Sequence, residues 1–377
     1  MTSADYEAGA RAAGALAFTV DQAHNLIAFS GETGLFGLAS GQMSWADFLA
    51  RLGPADQVYL EQVFEGDHID LRVRLIGDDG EVAYARLLGR RVAGWRFEGL
   101  MTPAGRTGDG AVRIREEHAL ANGVEAGEVL AYYQPIIELA SGRLAGFEAL
   151  ARWERPGLGV LAPDDFLDMA DELDLLDRIS ERVRASAAED LSSWRAAYEN
   201  ARRLFVAANA TVSELVSPDF ASELLSLVNR AQLPPGSFKL EIAETEIMRD
   251  PESAARAMTV LADGGISLSL DDFGTGYSSL ARLEMLPFNV VKIDRYFVRA
   301  MAANESASTV VKSVMQLARH FDMAVVAEGV ETRESADQLR EMGCEYAQGF
   351  RFAGALSPVA AVRAIQEGVE GRFLAPL

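Results

Sequence analysis

Cysteine is almost absent from this 377-residue chain, whose single copy is Cys344. That scarcity excludes a disulfide framework and a cysteine-ligated zinc site. Basic residues are also scarce, with 35 Lys and Arg against 56 Asp and Glu and a net charge of -21. Sequence-independent binding to DNA, RNA or an anionic membrane is therefore disfavoured, because each needs a basic surface.

Long apolar runs are missing too, since no uninterrupted stretch approaches the roughly 20 residues that a membrane helix needs. The first residues lack the basic start and the apolar stretch of a signal peptide. We therefore expect a cytoplasmic protein with no membrane partner. What is present is an ordinary globular balance of 49% hydrophobic and 24% charged residues, in a chain long enough for two domains.

Residues 1–102 read as a small α+β domain. Two β-prone runs at 15–20 and 26–30 precede helical patterns at 45–52 and 55–64, and strands follow at 69–75, 82–88 and 95–101. This order of two strands, helices and three strands resembles a PAS domain, which implies a sensor or dimerisation role. The only histidines of this region, His24 and His68, are interpreted as surface residues, so we predict no cofactor for it.

The remainder of the chain divides into a linker and a second domain. Residues 103–112 are rich in glycine and proline, and the following ten look helical, so 103–122 is predicted as a linker and connecting helix. From 123 to 377, short β-prone runs alternate with amphipathic helical patterns, which predicts parallel βα units. Their number fits an α/β fold of the (β/α)8 TIM-like barrel type better than an open sheet.

Nearly every predicted strand of the second domain ends in a polar side chain that can bind metal or phosphate. These residues are Glu148, Asn209, Glu241, Asp271, Asp272, Lys292, Glu328 and Gln348. The carboxyl ends of barrel strands face one mouth, so we expect these side chains to converge there. Taken alone, Glu148 or Glu328 is interpreted as a surface or ion-pair residue, and Lys292 as a partner of Asp294, whereas the Asp271-Asp272 doublet indicates a loop that bends around a cation. The joint pattern favours a functional site.

Several carboxylates at one mouth would raise one another's pKa values unless cations compensate. Ligands that are all oxygen, without cysteine or histidine, favour Mg²⁺ or Mn²⁺ over zinc. Two such ions about 4 Å apart would form a clamp for displacement at a phosphorus centre.

Residues 148–153, Glu-Ala-Leu-Ala-Arg-Trp, reproduce the motif that names the EAL-domain family of cyclic di-GMP phosphodiesterases. The sequence resembles that family from about residue 115 to residue 370, with further matches in the family's order at 133–136, 209–211, 241–245, 271–280, 291–294, 328–331 and 348–350. The resemblance implies hydrolysis of 3′,5′-cyclic di-GMP to linear 5′-pGpG by in-line attack of water. No Gly-Gly-Asp-Glu-Phe motif is present, so cyclase activity is not expected.

The resemblance also implies the role of each site residue. The implied ligands of two Mg²⁺ or Mn²⁺ ions are Glu148, Asn209, Glu241, Asp271, Asp272 and Glu328. The implied catalytic residues are Lys292, Asp272, Glu328 and Gln348. Asp272 would help to orient the attacking water, Lys292 would lower the pKa of that water and stabilise charge on the phosphorus, and Gln348 would hydrogen-bond Lys292 or the water network. Substrate contacts would come from Arg152 and Gln134, and Glu244 would anchor the glycine-rich loop 273–280.

The sequence departs from the family pattern at three places. Ala210-Thr211 stands where Leu-Ser is common, Ala243 stands where Thr is usual, and residues 352–355 lack the usual proline, which leaves the conformation of that loop open. Two alternatives to an active phosphodiesterase regulated by its N-terminal domain are considered. One is a catalytically silent EAL domain that acts as a cyclic di-GMP receptor or interaction module, and the other is an unrelated metal-dependent barrel enzyme. A homodimer is expected from the family's habit.

Overall fold

The computed structural model describes residues 15–31, 36, 38, 41–64, 66–76, 82–94, 96–104, 110–243, 251–273 and 286–367. Contacts between residues divide the chain into two compact units, Met1–Ala126 with Phe166–Leu175, and Gly127–Asp165 with Leu176–Leu377. The domain limits at residues 102 and 122 stay a prediction. Within the described ranges, no helix combines the length and apolarity that crossing a membrane requires.

The first unit is an antiparallel sheet with helices packed on it. Its elements are β1 (Leu16–Asp21), a 3-10 helix (Gln22–His24), β2 (Leu26–Gly31), β3 (Gly41–Ser44), α1 (Trp45–Leu49), α2 (Pro54–Val63), β4 (His68–Ile76), β5 (Val82–Ala93), β6 (Arg96–Pro103), α3 (Gly110–Ala126) and α4 (Leu167–Glu172). The six strands lie in the order β3-β2-β1-β6-β5-β4, around a core that includes Phe18, Phe48 and Phe97. The predicted order of strands and helices is observed, with β3 added, and the PAS-like identity stays a prediction.

The second unit is a closed barrel of eight strands with helices around it, as predicted. Its elements are β7 (Val129–Glu138), β8 (Arg143–Arg155), β9 (Gly159–Leu161), a 3-10 helix (Pro163–Asp165), α5 (Leu176–Ala197), a 3-10 helix (Glu199–Arg203), β10 (Phe205–Asn209), α6 (Val212–Val216), α7 (Phe220–Arg230), β11 (Phe238–Ala243), α8 (Pro251–Asp263), β12 (Ser267–Phe273), β13 (Val290–Ile293), α9 (Arg295–Ala300), α10 (Glu305–His320), β14 (Ala324–Ala327), α11 (Arg333–Met342), β15 (Tyr346–Ala347) and α12 (Pro358–Glu367). The order β10-β11-β12-β13-β14-β15-β7-β8 closes through pairing of β8 with β10.

The first barrel strand, β7, corrects the expectation of parallel units throughout. It pairs antiparallel with both of its neighbours, β8 and β15. The other neighbouring pairs around the barrel, from β8 with β10 to β14 with β15, are all parallel. The physical reason is the short turn between β7 and β8, because a parallel pair needs a crossover of a dozen or more residues. The antiparallel register sets Gln134 opposite Glu148. The carboxyl ends of the other strands share one mouth of the barrel.

Candidate active site

Four carboxylates from different strands meet a single lysine at the mouth of the barrel. The ammonium Nζ of Lys292 lies 2.7 Å from Glu328 Oε1, 2.8 Å from Glu241 Oε2, 3.2 Å from Asp271 Oδ1 and 3.5 Å from Glu148 Oε2. Lys292 is only 1% exposed. These five residues, called here the Lys292 cluster, come from β8, β11, β12, β13 and the residue after β14, so strand closure alone brings them together.

Lys292 does not form the pair with Asp294 that its sequence position allows. The Asp294 carboxylate instead caps α9, where it accepts a hydrogen bond from the Tyr296 backbone N–H at 2.9 Å. The first turn of α9 therefore starts at the barrel mouth, immediately after the strand that carries Lys292.

The Lys292 cluster is short of positive charge, since four carboxylates face one ammonium. Burial raises the pKa of Glu328 to about 8 and the pKa of Glu241 well above its ordinary value, although Lys292 opposes both shifts. Burial acts to lower the pKa of Lys292, but its carboxylate neighbours, Asp271 first, outweigh it and raise that pKa well above its ordinary value. The lysine is therefore charged at neutral pH, and a further cation would be stabilised beside it.

Gln348 joins two carboxylates of the cluster from the end of β15. Its Nε2 donates to Glu148 Oε2 at 2.6 Å and to Glu328 Oε1 at 3.2 Å. Its Oε1 is buried and, within the described part of the chain, has no hydrogen-bond partner. A buried acceptor of this kind calls for a water, an ion or a ligand.

A cavity of about 430 Å³ opens onto this cluster. Its described lining consists of Gln134, Glu148, Leu150, Asp271, Lys292, Asp294, Arg295, Arg299, Glu328, Gly329, Gln348, Gly349 and Phe350. Sequence reasoning assigned no role to Arg295 and Arg299, which α9 brings to the cavity, or to Phe350, which is 72% exposed. The helix cap at Asp294, directly after the Lys292 strand, is the sequence signal that could have found the two arginines.

The four carboxylates of the Lys292 cluster fit a divalent cation by their chemistry. Carboxylate oxygens are the ligands that Mg²⁺ and Mn²⁺ prefer, the cluster lacks positive charge, and the unpaired Gln348 oxygen lies beside it. Among the described residues, however, no group of three or more His, Cys, Asp or Glu side chains is already arranged to hold a metal ion.

The other predicted site residues differ in whether they line this cavity. Gln134 lines it and donates from Nε2 to the Ala353 carbonyl at 3.3 Å. Asn209 ends β10 beside Glu241, with an exposed side chain, and is not among the described lining residues. Arg152, also outside that lining, donates to the Ala151 carbonyl at 2.7 Å, and burial lowers the pKa of its guanidinium.

Some predicted features lie outside the described residues. These are the side chain of Asp272, whose backbone belongs to β12, Glu244, and residues 274–280 of the predicted loop. The loop 352–355, whose missing proline left its conformation open, is described. Its start is held by a hydrogen bond from the Phe352 N–H to the Gly349 carbonyl at 3.0 Å, and pairing of Tyr133 with Leu356 follows it.

Comparison with known proteins gives the same picture of the second unit. The model of the EAL domain matches residues 117–355. An uncharacterised protein of Synechocystis is 34% identical over 261 residues, covering 69% of this chain and 37% of the relative. The protein named cyclic di-GMP phosphodiesterase RocR, from Pseudomonas aeruginosa, is 38% identical over 234 residues, covering 62% of this chain and 59% of the relative.

Among solved structures, the PaMucR phosphodiesterase in complex with c-di-GMP superposes with a TM-score of 0.62 at 31% identity, covering 65% of this chain and 98% of that one. This chain spans 37% of the Synechocystis relative and 59% of RocR. The family model covers well over half of the sequence, so the chain belongs to the EAL-domain family.

Proposed function

We propose that this chain is a metal-dependent phosphodiesterase that hydrolyses 3′,5′-cyclic di-GMP to linear 5′-pGpG. The observation that carries the proposal is the Lys292 cluster, in which a buried ammonium lies within 3.5 Å of four carboxylates. Three of them, Glu148, Asp271 and Glu328, line one cavity together with Lys292. The names of RocR and of the PaMucR complex supply the substrate class. No acidic residue of the motifs is replaced, which favours an enzyme over a silent receptor.

The residues that would hold two Mg²⁺ or Mn²⁺ ions are Glu148, Asn209, Glu241, Asp271, Asp272 and Glu328. Bound there, the ions would activate a water as Lewis acids and neutralise charge on the phosphate. The unpaired Oε1 of Gln348 could accept a hydrogen bond from that water, while its Nε2 orients Glu148 and Glu328.

Lys292 supplies fixed positive charge where negative charge develops on the phosphate oxygens. Arg152 would exchange its hydrogen bond to the Ala151 carbonyl for a phosphate oxygen, because a guanidinium suits that partner. Gln134 would contact the substrate from the cavity wall, and Glu244 would anchor the loop after Asp272. A cytoplasmic location, a homodimer, and regulation by a PAS-like first unit belong to the same proposal.

The test is incubation of the full chain with cyclic di-GMP and Mn²⁺ or Mg²⁺, with products separated by chromatography. We expect pGpG to accumulate, and Glu148→Gln, which keeps the side-chain shape, to lower turnover by about two orders of magnitude or more. The matched control is Glu154→Gln, a change on the same strand outside the described lining of the cavity. Tight binding of cyclic di-GMP without any pGpG would reject the phosphodiesterase and favour a receptor.

A further inference from the structure

Helix α5 carries a charge on its buried face. Arg184 is 4% exposed, although the other buried residues of this helix are apolar, namely Ile179, Val183, Ala187, Ala188, Leu191 and Trp194. A guanidinium inside a protein is costly unless its donors are paired. The contacts of Arg184 therefore indicate what it does.

Arg184 contacts the last residue of β10 and the segment that follows this strand. Its Nη1 donates to Glu214 Oε2 at 2.9 Å, and its Nη2 pairs with Glu214 Oε1. Nη1 also donates to the backbone carbonyl of Asn209 at 3.0 Å. The guanidinium carbon lies 5.1 Å from the centre of the Phe220 ring, which covers it.

Glu214, which Arg184 holds, is itself hydrogen-bonded to Thr211 at the start of the turn. It forms a capping box with Thr211, in which the Thr211 N–H donates to Glu214 Oε2 at 2.9 Å and the Thr211 side chain accepts from the Glu214 N–H at 3.2 Å. Helix α5 adds a second attachment, because Asp177 accepts hydrogen bonds from the hydroxyls of Thr211 at 2.7 Å and Ser213 at 2.9 Å. The turn from Asn209 to Glu214 is thus held to α5 at two points.

Asn209 depends on this turn for its position. It pairs in register with Glu241, a member of the Lys292 cluster, and the next residue, Ala210, donates its N–H to the Glu241 carbonyl at 3.0 Å. Its side chain is exposed. The contact from Arg184 to the Asn209 carbonyl therefore fixes the backbone from which this side chain projects.

We propose that Arg184 is a positioning residue for divalent-cation binding, acting through the backbone of Asn209. This inference rests on the proposed function, because it takes Asn209 as a metal ligand. A lysine in place of Arg184 keeps the charge but has a single nitrogen, which cannot reproduce the fork that binds both Glu214 oxygens and the Asn209 carbonyl.

The test measures Mn²⁺ binding alone, by calorimetry and electron paramagnetic resonance, on the full chain without substrate. Arg184→Lys should weaken Mn²⁺ binding about tenfold or more. The matched control is Arg195→Lys on the same helix, because Arg195 donates to the Leu204 carbonyl at 3.0 Å, just before the opposite end of β10. It should leave the Mn²⁺ dissociation constant unchanged.

A double-mutant cycle separates positioning from a merely structural role. If Arg184 acts through Asn209, then Arg184→Lys should weaken Mn²⁺ binding no further in an Asn209→Ala background. An equal loss in both backgrounds would overturn the proposal. If Arg184→Lys does not fold, Arg184→Met combined with Glu214→Gln removes the Asn209 contact without leaving a buried carboxylate unpaired, and should show the same loss.

The outcomes for the two proposals are distinguishable. Wild-type Mn²⁺ affinity in Arg184→Lys, in a protein that still makes pGpG, would reject only the role of Arg184. If the wild-type chain binds Mn²⁺ but makes no pGpG, and Arg184→Lys weakens Mn²⁺ binding, only the phosphodiesterase proposal is rejected. A wild-type chain that binds no Mn²⁺ would reject the positioning role and the metal-dependent reaction together.

Discussion

At the scale of single residues, the balance of charge around Lys292 governs the site. One buried ammonium contacts four carboxylates and reduces their mutual repulsion, and Gln348 donates hydrogen bonds to two of these acids, Glu148 and Glu328. A buried charge that loses its partner is strongly destabilising, whereas exposed pairs contribute little. The chemistry and the stability of the site therefore both depend on the ammonium nitrogen of Lys292.

Replacing Lys292 with methionine tests this dependence. Lys292→Met should lower turnover of cyclic di-GMP by about 10²–10³-fold, because fixed positive charge at the reacting phosphate is lost. The affinity for cyclic di-GMP, measured in the presence of Ca²⁺, should change much less than the turnover. Exposed Lys312 offers the control Lys312→Met, which should alter neither quantity. An equal loss in binding and turnover would show that Lys292 contributes to ground-state binding alone.

A family departure is also explained at this scale. Thr211 stands where the family commonly has serine, and its hydroxyl caps α6 and takes part in the capping box with Glu214. Serine and threonine both supply that hydroxyl. The substitution therefore keeps a hydroxyl that can cap α6 after Asn209.

At the scale of elements, short helices after the strands shape the cavity. Helix α9 begins at its cap, Asp294, and carries Arg295 and Arg299 to the cavity wall. Gly329, with φ of +63°, allows the chain after Glu328 to pass close to this helix, because a Cβ there would lie 2.5 Å from Arg295 Cβ. The cap and this close approach set where the two arginines lie.

Two helix caps allow a matched comparison of stability with function. Asp294→Ala and Asn304→Ala each remove the side chain that caps a helix, α9 and α10 respectively, so each should cost about 1 kcal/mol. Only the loss at Asp294 should also weaken cyclic di-GMP binding, because α9 lines the cavity and α10 does not contribute to its described lining. Asp294→Asn, which can still cap, should restore most of the stability. Thermal unfolding and ligand titration measure the two effects, and equal binding losses in both alanine variants would contradict this explanation.

At the scale of the whole molecule, the first unit contains a buried ionic network that joins helix α3 to its sheet. Arg74 on β4 donates to Asp56 at 2.7 Å and to Glu117 on α3 at 2.7 Å, and Glu117 is fully buried. Arg113 on α3 pairs with Glu172 on α4 at 2.7 Å. Burial raises the pKa of Asp56 to about 6, although Arg74 opposes the shift.

That shift predicts a pH dependence of stability. The unfolded chain releases the proton of Asp56 near pH 3.9, before the folded chain does, so stability should fall as pH rises from about 4 to 6. Asp56→Asn has no such loss, and its stability relative to wild type should increase by up to about 3 kcal/mol over this window. Thermal unfolding at several pH values measures the difference. Asp70→Asn, at an exposed pair with Arg86, is the control and should show no comparable trend.

Much of the fold and site follows from local features of the sequence. A polar residue after an apolar run marks the end of a strand, and a closed barrel gathers such ends at one mouth, which is why the members of the Lys292 cluster could be predicted together. The same logic located Gln348 and Asn209. Local patterns of this kind depend only on neighbouring residues, so they are readable before the chain is folded.

Partner choice between distant residues was decided only by the tertiary structure. The pairing of Lys292 with four carboxylates instead of Asp294, the antiparallel course of β7, the two arginines of α9 in the cavity, and the reach of Arg184 to Asn209 all depend on closure of the barrel. Such contacts join atoms that are close in space and far apart in sequence. Their energies vary steeply with distance and burial, and neither quantity is encoded in any single stretch of the chain.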